Sequence, residues 1–189
     1  MGKSSSEPIL TTSPPPPPPP PRFGIFSATS NPTATISKET YAASMGVKLG
    51  EPEVPFTPCF MFFYGSLMDA EVLQSVLGLR HTPIVKRGVT EGFAMKMWGI
   101  YPTIIPSKEG KIAGTVWKVD LVHHFSRLQE YETGAYTWCS CDVKREDGEM
   151  LQGCRTFCWA GDANSKELDE GSFDLGRYQK YFKASVVRK

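Results

Sequence analysis

The 189-residue chain lacks an excess charge of either sign: 21 Lys and Arg stand against 20 Asp and Glu, a net charge of +1. With no basic face for a phosphate backbone, nucleic acid is excluded as a partner. The chain also lacks any apolar run approaching a membrane span, and its N-terminus has no apolar stretch of the secretory type. These absences predict a cytoplasmic protein without stable membrane insertion. Histidine is scarce, at three residues, and the five cysteines are an odd number, which argues against a disulfide framework in such a chain.

Proline is unevenly spread. Thirteen of the sixteen prolines fall within residues 1–58, among Ser, Thr and Ala with single scattered apolar residues. Such a segment buries too little apolar area to offset its ordering entropy, so 1–58 is predicted to be a disordered tail. Pro14 to Pro21 is predicted to form a polyproline II rod rising about 3.1 Å per residue. It reads first as a spacer and second as a ligand for a polyproline-binding protein partner with an aromatic groove. Met1 to Ser6 fits the myristoylation pattern with Gly2 as acceptor; with no second anchor nearby, one acyl chain would give only weak membrane association.

From Cys59 onward aromatic and β-branched residues cluster, and about 130 residues suffice for one hydrophobic core. Residues 59–189 are therefore read as a single folded domain. Phe62-Phe63-Tyr64-Gly65-Ser66-Leu67-Met68-Asp69 reads as a strand, a glycine turn and a helix start. Val72, Leu73, Val76 and Leu77 give an apolar helix stripe, Ser66 and Asp69 have capping-box spacing, and Gly78 stands where a helix stops. Amides at a helix start lack internal acceptors and favour a carboxylate or an oxyanion.

Downstream, short strands are predicted at Ile84 to Glu91, Phe93 to Met97, Thr103 to Ile105 and Lys111 to Val119, in antiparallel arrangement and closed or nearly closed into a barrel. Ile112 to Val119 has no strongly polar face, which predicts burial on both sides. A helix over Val122 to Leu128 takes Asp120 as its N-cap. Ser165 to Glu170 and Leu175 to Ala184 are expected to be closing helices, the second with Tyr178, Tyr181 and Phe182 as its stripe.

Trp138 to Val143 and Met150 to Trp159 read as a hairpin joined through Glu146-Asp147-Gly148-Glu149. Alternation sets Cys139 and Cys141 on one face, Cys154 and Cys158 on one face, and Cys141 opposite Cys154. The C-x-C and C-x-x-x-C spacing departs from the usual zinc pairs, so these cysteines are read as small core residues and no metal or other cofactor is expected.

Leu128-Gln129-Glu130-Tyr131-Glu132-Thr133-Gly134 carries two acids in unlike settings. Glu130 is placed in solvent. Glu132, at the start of a buried strand, is the candidate for a desolvated acid with a raised pKa, fit to take and return a proton near neutral pH.

The motifs Phe62-Phe63-Tyr64-Gly65-Ser66-Leu67, Gly88-Val89-x-x-Gly92-Phe93, Tyr101-Pro102-Thr103-Ile104-Ile105-Pro106, Gly114-Thr115-Val116-Trp117 and Leu128-x-x-Tyr131-Glu132-x-x-x-Tyr136 occur in that order. Over about residues 60 to 160 the set resembles the gamma-glutamylcyclotransferase superfamily, in its avirulence-induced-gene-like branch. The resemblance implies an α+β fold: a small mixed, mostly antiparallel β-barrel flanked by short helices. It implies a cavity between Tyr64, Gly65, Ser66 and Leu67 on one side and Glu132, as general acid and base, on the other. The substrate class it implies is a gamma-glutamyl amine or peptide, cyclised to 5-oxoproline. Tyr101 and Tyr136 are expected to line the cavity with Tyr64. Two positions depart from the family pattern, Gln129 for its usual Asp and Trp138 for its common basic residue.

Two rivals stand beside this reading. A thiol enzyme would use Cys59 or Cys139 with His81, His123 or His124, although no spacing places a histidine beside a cysteine. A noncatalytic binding protein would keep the barrel and use the polyproline tail, but has no need of an acid at Glu132.

Overall fold

In chain order the elements are β1 (Cys59–Phe63), a 3-10 turn (Ser66–Met68), α1 (Ala70–Leu77), β2 (Lys86–Trp98), β3 (Tyr101–Val119), α2 (Val122–Glu132), β4 (Tyr136–Arg145), β5 (Met150–Trp159), β6 (Asp169–Glu170), α3 (Leu175–Tyr181) and α4 (Lys183–Val186). This computed structural model describes residues 56–187, so the tail with Gly2 and Pro14 to Pro21 lies outside the described residues.

Side-chain alternation along β1 divides the molecule. Phe62 packs with the residues that fill the barrel, whereas Met61 and Phe63 pack with the apolar faces of α1 and α2. β1 runs antiparallel to β3 and parallel to β5. β5 pairs antiparallel with β4, β4 with β2, and β2 with β3, which closes a five-stranded mixed barrel. The barrel and its short helices are those the sequence implies.

The interior is filled by Phe62, Phe93, Ile104, Ile112, Val116, Val143 and Leu151 together with Cys139, Cys141, Cys154 and Cys158. Cys141 sits opposite Cys154, although not by the two-residue turn expected: the hairpin begins with Lys144 opposite Met150 and Val143 opposite Leu151, and a bulge between Cys141 and Val143 shifts the register by one residue. All four cysteines are buried and free, and burial is among the causes that push the thiols of Cys139, Cys141 and Cys154 upward, the last to about 11. The double burial expected over Ile112 to Val119 holds only from Gly114 to Trp117, since Ala113 and Lys118 are exposed. At Gly114 a Cβ would stand 2.2 Å from the Phe63 carbonyl oxygen, so only glycine lets β3 cross β1 this closely.

Several element boundaries differ from expectation. Ile84 to Glu91 and Phe93 to Met97 are one strand, because the shift between Glu91 and Phe93 is a bulge at Gly92 that bends β2 without ending it. Likewise Thr103 to Ile105 and Lys111 to Val119 merge into β3, with Pro106 paired beside that bulge. The outer halves of β2 and β3 form a long arm, turned at Gly99 and Ile100.

α2 continues beyond Leu128 to Glu132, and Asp120 does not cap it: its carboxylate pairs with Lys118 at 2.8 Å, and Leu121 takes the cap position without a side-chain bond. Ser165 to Glu170 holds turns and β6 instead of a helix, and β6 pairs with the arm at Lys96 and Met97. Tyr181 is exposed, so the apolar stripe of the last helical segment narrows to Tyr178 and Phe182, both half-buried.

Candidate active site

β1 ends at Phe63, and the chain turns away from the barrel rim through Tyr64 and Gly65 into the 3-10 turn. The i to i+3 pattern of this turn uses the amides of Met68 and Asp69, which donate to the Gly65 and Ser66 carbonyls at 3.0 and 3.1 Å. The amides of Ser66 and Leu67 precede the first such bond and are not consumed by the turn.

The expected capping box does not form. Asp69, not Ser66, caps α1, accepting from the Glu71 and Val72 amides at 2.9 and 3.2 Å. Ser66 instead shares a 2.9 Å hydrogen bond with the Tyr131 hydroxyl. Gly78 ends α1 in the left-handed region at φ 67°, as its position predicts.

Asp69 has a further task. Its second oxygen accepts from Gln179 Nε2 at 2.7 Å and pairs with Lys183 Nζ at 2.8 Å, tying the C-terminal helices to α1. Burial alone would raise the Asp69 carboxyl; hydrogen bonds from Lys183, Gln179 and the Val72 amide outweigh it and hold the group below the usual carboxylate range.

A cavity of about 410 Å³ opens between these elements. The turn supplies Tyr64, Gly65, Ser66 and Leu67; the arm supplies Tyr101; the end of α2 and the start of β4 supply Glu132 and Tyr136. All seven residues singled out from the sequence therefore border one space. Glu130, two residues before Glu132, is exposed.

Glu132 occupies the last turn of α2, and Thr133 after it takes φ 63°, which swings the chain directly into β4. The residue is half-buried and borders the cavity. Burial raises its pKa to about 8. Among the described residues no cation pairs with it. The phenols around it share its field. Tyr64 is raised by burial and then by Glu132; Tyr136 is raised by the same two causes and then by Tyr101. Both stay protonated, able to donate to a ligand or to the carboxylate. Tyr136 at present donates to the Pro102 carbonyl at 3.0 Å, which fixes β4 to the arm.

Sequence reasoning missed Trp98, Tyr131, Phe173, Arg177, Tyr178 and Phe182, which also line the cavity. Tyr131 stood inside a motif beside Glu132, so its periodicity on an extended α2 could have found it. The Tyr178 hydroxyl is buried beside Ser66 and Tyr131 without meeting hydrogen-bond geometry to either. The departures also find places. Trp138 lies outside the cavity, under the Arg155 guanidinium, whose carbon stands 4.4 Å from its ring centroid. Gln129 supplies the carbonyl that accepts the Thr133 amide at 3.0 Å.

At Cys139 the thiol alternative has no support in this geometry. Cys139 faces the barrel interior, and His123 and His124 meet edge-to-face with ring centroids 4.2 Å apart, His124 lying beside Trp117. Among the described residues no group of three or more His, Cys, Asp or Glu is placed to hold a metal ion.

The pattern of the family described as "Gamma-glutamyl cyclotransferase, AIG2-like" matches residues 61–180. The chain belongs to this family. Within it, the chain is 27% identical over 116 residues to AIG2-like protein A of Arabidopsis thaliana, covering 60% of this chain and 69% of that protein. It is 28% identical over 130 residues to AIG2-like protein C of the same organism, covering 67% and 73%. Two Arabidopsis thaliana proteins solved in solution share the fold. One has a TM-score of 0.54 at 22% identity, covering 69% of this chain and 78% of that chain; the other has 0.52 at 24%, covering 68% and 85%. The AIG2-like match spans the whole cavity except its outer edge at Phe182, Ser185 and Val186.

Proposed function

We propose that this AIG2-like protein is a gamma-glutamylcyclotransferase, cyclising a gamma-glutamyl amide to 5-oxoproline with release of a free amine. One observation carries the reading: a desolvated carboxyl with its pKa raised to about 8 shares one cavity with a turn whose leading amides are not used by that turn.

The substrate brings its own nucleophile. The α-amine attacks the γ-carbonyl, a new C–N bond closes a five-membered ring, and the original amide C–N bond breaks. Glu132 takes the proton that the amine gives up and returns it to the leaving nitrogen, so no proton is gained or lost. General acid–base catalysis of this kind is worth about 10² to 10⁴ in rate. Holding the glutamyl chain folded supplies more, since a well-oriented intramolecular attack gains up to about 7 to 11 kcal/mol.

The Ser66 and Leu67 amides, reached past Gly65, take the substrate carboxylate or the oxyanion. Tyr64, Tyr101 and Tyr136 are the phenols that orient the substrate, with Tyr136 closest in sequence to the acid. A cytoplasmic setting fits the reaction and the five reduced cysteines.

The test is incubation of the full chain with a set of gamma-glutamyl amides while 5-oxoproline is measured. Product from the native protein and none from a folded Glu132→Gln variant is the expected result. A folded Glu132→Gln protein with full turnover would refute the assignment of the proton carrier.

A further inference from the structure

The cavity holds a cluster of hydroxyls that the reaction as described does not use. Ser66, Tyr131 and Tyr178 all line it. Ser66 and Tyr131 share their 2.9 Å bond, while the Tyr178 oxygen is buried and makes none. Among the described residues, it is the one buried side-chain polar atom without a hydrogen bond that belongs to a cavity-lining residue. A buried donor left unpaired is costly, so an oxygen kept this way in a cavity wall calls for a bond that forms when a ligand is present.

The Tyr178 phenol is held beside the other two. Its ring packs against Phe173 and Phe182, with centroids 5.9 and 6.3 Å away, and this C-terminal segment forms one wall of the cavity. Gln179 and Lys183 fasten the segment to Asp69 at 2.7 and 2.8 Å, and Asp69 directly follows the Ser66–Met68 turn. The charged groups near the phenol are Asp69 and Lys183, and both are engaged. One Asp69 oxygen takes the Glu71 and Val72 amides, the other takes Gln179 and Lys183, and Lys183 also reaches Glu71 at 3.0 Å. The side-chain acceptors left within reach among the described residues are the Tyr131 and Ser66 oxygens. Burial raises the pKa of both phenols, so both remain protonated donors.

Three hydroxyls in a row carry three protons and make two internal bonds, so one proton is left over at an end. Left on Tyr178, it would be an orphan donor in a buried place. With the chain running from Tyr178 through Tyr131 to Ser66, it emerges from Ser66 into the cavity. There it joins the Ser66 and Leu67 amides, which the turn does not consume. Each bond also polarises the next, so the inner hydroxyls strengthen the outermost donor.

Resting on the cyclotransferase reading, we infer that Tyr178 is a positioning residue. In the substrate complex its phenol donates to Tyr131, Tyr131 donates to Ser66, and Ser66 presents its proton to the γ-carbonyl oxygen as that oxygen becomes negative under attack by the α-amine. The donor is thereby aimed at charge that develops only in the transition state, which favours rate over substrate affinity.

The experiment measures 5-oxoproline formed by the full chain from gamma-glutamyl ethylamide, gamma-glutamylglycine and glutathione, with kinetics taken on whichever turns over fastest. Tyr178→Phe keeps the ring and removes the oxygen alone. Its kcat is expected to fall about threefold to tenfold, the scale of one hydrogen bond, with KM near native. Its Tm is expected to be equal or higher, because no bond is lost and an unpaired buried donor is removed. Ser66→Ala, which removes the outer donor, is expected to lower kcat by about 100-fold. The double variant is expected to be no slower than Ser66→Ala alone, since the inner phenol acts only through the outer hydroxyl. A lowered Tm with a raised KM in Tyr178→Phe makes the residue a wall support and overturns the inference, as does an unchanged kcat or a fully additive double variant. In each of those cases the native protein still forms 5-oxoproline and the cyclisation stands. No 5-oxoproline from the native chain with any of the three substrates overturns the cyclisation and the inference with it.

Discussion

The hydroxyls of Ser66 and Tyr131 meet at 2.9 Å, joining the turn after β1 to the residue immediately before Glu132 across 65 positions of sequence. The two halves of the candidate site are thereby held in one frame. Removing the phenol oxygen with Tyr131→Phe is expected to lower stability by about 0.5 to 1.5 kcal/mol, the net worth of one such bond, read by urea denaturation. Turnover is expected to fall more than KM changes, because the misplacement affects the chemical step. A variant with native stability and a raised KM alone would separate the pair from the reaction.

The raised Glu132 pKa sets the pH profile. A base with a pKa of about 8 is only about one-tenth ionised at pH 7, so kcat/KM is expected to climb with pH and level off above that value. The folded state also holds this proton more tightly than the unfolded chain does. Stability from that difference is fully present below the unfolded carboxyl pKa, declines as pH rises, and is gone above about 8. Glu132→Gln is therefore expected to melt higher than the native protein at pH 9, with the gap closing at pH 5. A scan of Tm against pH for both proteins decides it, and parallel curves count against a buried carboxylate.

Asp69 behaves in the opposite sense. Its pKa is lowered in the fold, so its contribution is present above the unfolded pKa and is lost as pH falls through the folded value. Asp69→Ala removes a helix cap and the partner of Lys183 and Gln179 together, with an expected cost of about 2 to 4 kcal/mol. Because the C-terminal segment forms one wall of the cavity, substrate KM should rise as well; limited proteolysis that newly cuts between Phe173 and Tyr181 is the accompanying sign.

Gly114→Ala drives a methyl group against the Phe63 carbonyl and the Phe62 ring, where the gaps for a Cβ are 2.2 and 2.6 Å. Both neighbours belong to β1, which has no room to retreat. A loss of about 3 kcal/mol or more is expected, measured as a lowered denaturation midpoint or as failure to accumulate in soluble form.

The barrel was legible because its strands are punctuated by residues with local meaning. Asp147-Gly148 marked the hairpin, although the Cys141 to Cys154 pairing rests on the bulge beyond it, and Gly78 set the end of α1. Two breaks were misread because Gly92 and Pro106 carry the same local signal whether a strand ends or bends; only partner strands on both sides decide, and those lie far along the chain. Ser66 was misassigned as a cap for a similar reason. Its hydroxyl has a local acceptor role by spacing, yet a tyrosine on another element claims it. The first half of the site was readable from contiguous motifs, whereas the wall from Phe173 to Phe182 was not. Its placement depends on Asp69 reaching Gln179 and Lys183, a long-range charge contact with no signature in either segment.

β1 is made first but finds its place last. It lies between β3 and β5, and its parallel neighbour is completed only at Trp159. During synthesis β1 gains its β3 neighbour once Val119 is made, but its other edge must wait open until nearly one hundred residues beyond Phe63 have emerged, about 5 to 20 being added each second. A ribosome stalled anywhere in the β4–β5 hairpin would release a chain whose stickiest strand is unpaired on one side, so the step most exposed to misassembly is also the one that puts the Tyr64 turn where Glu132 can use it.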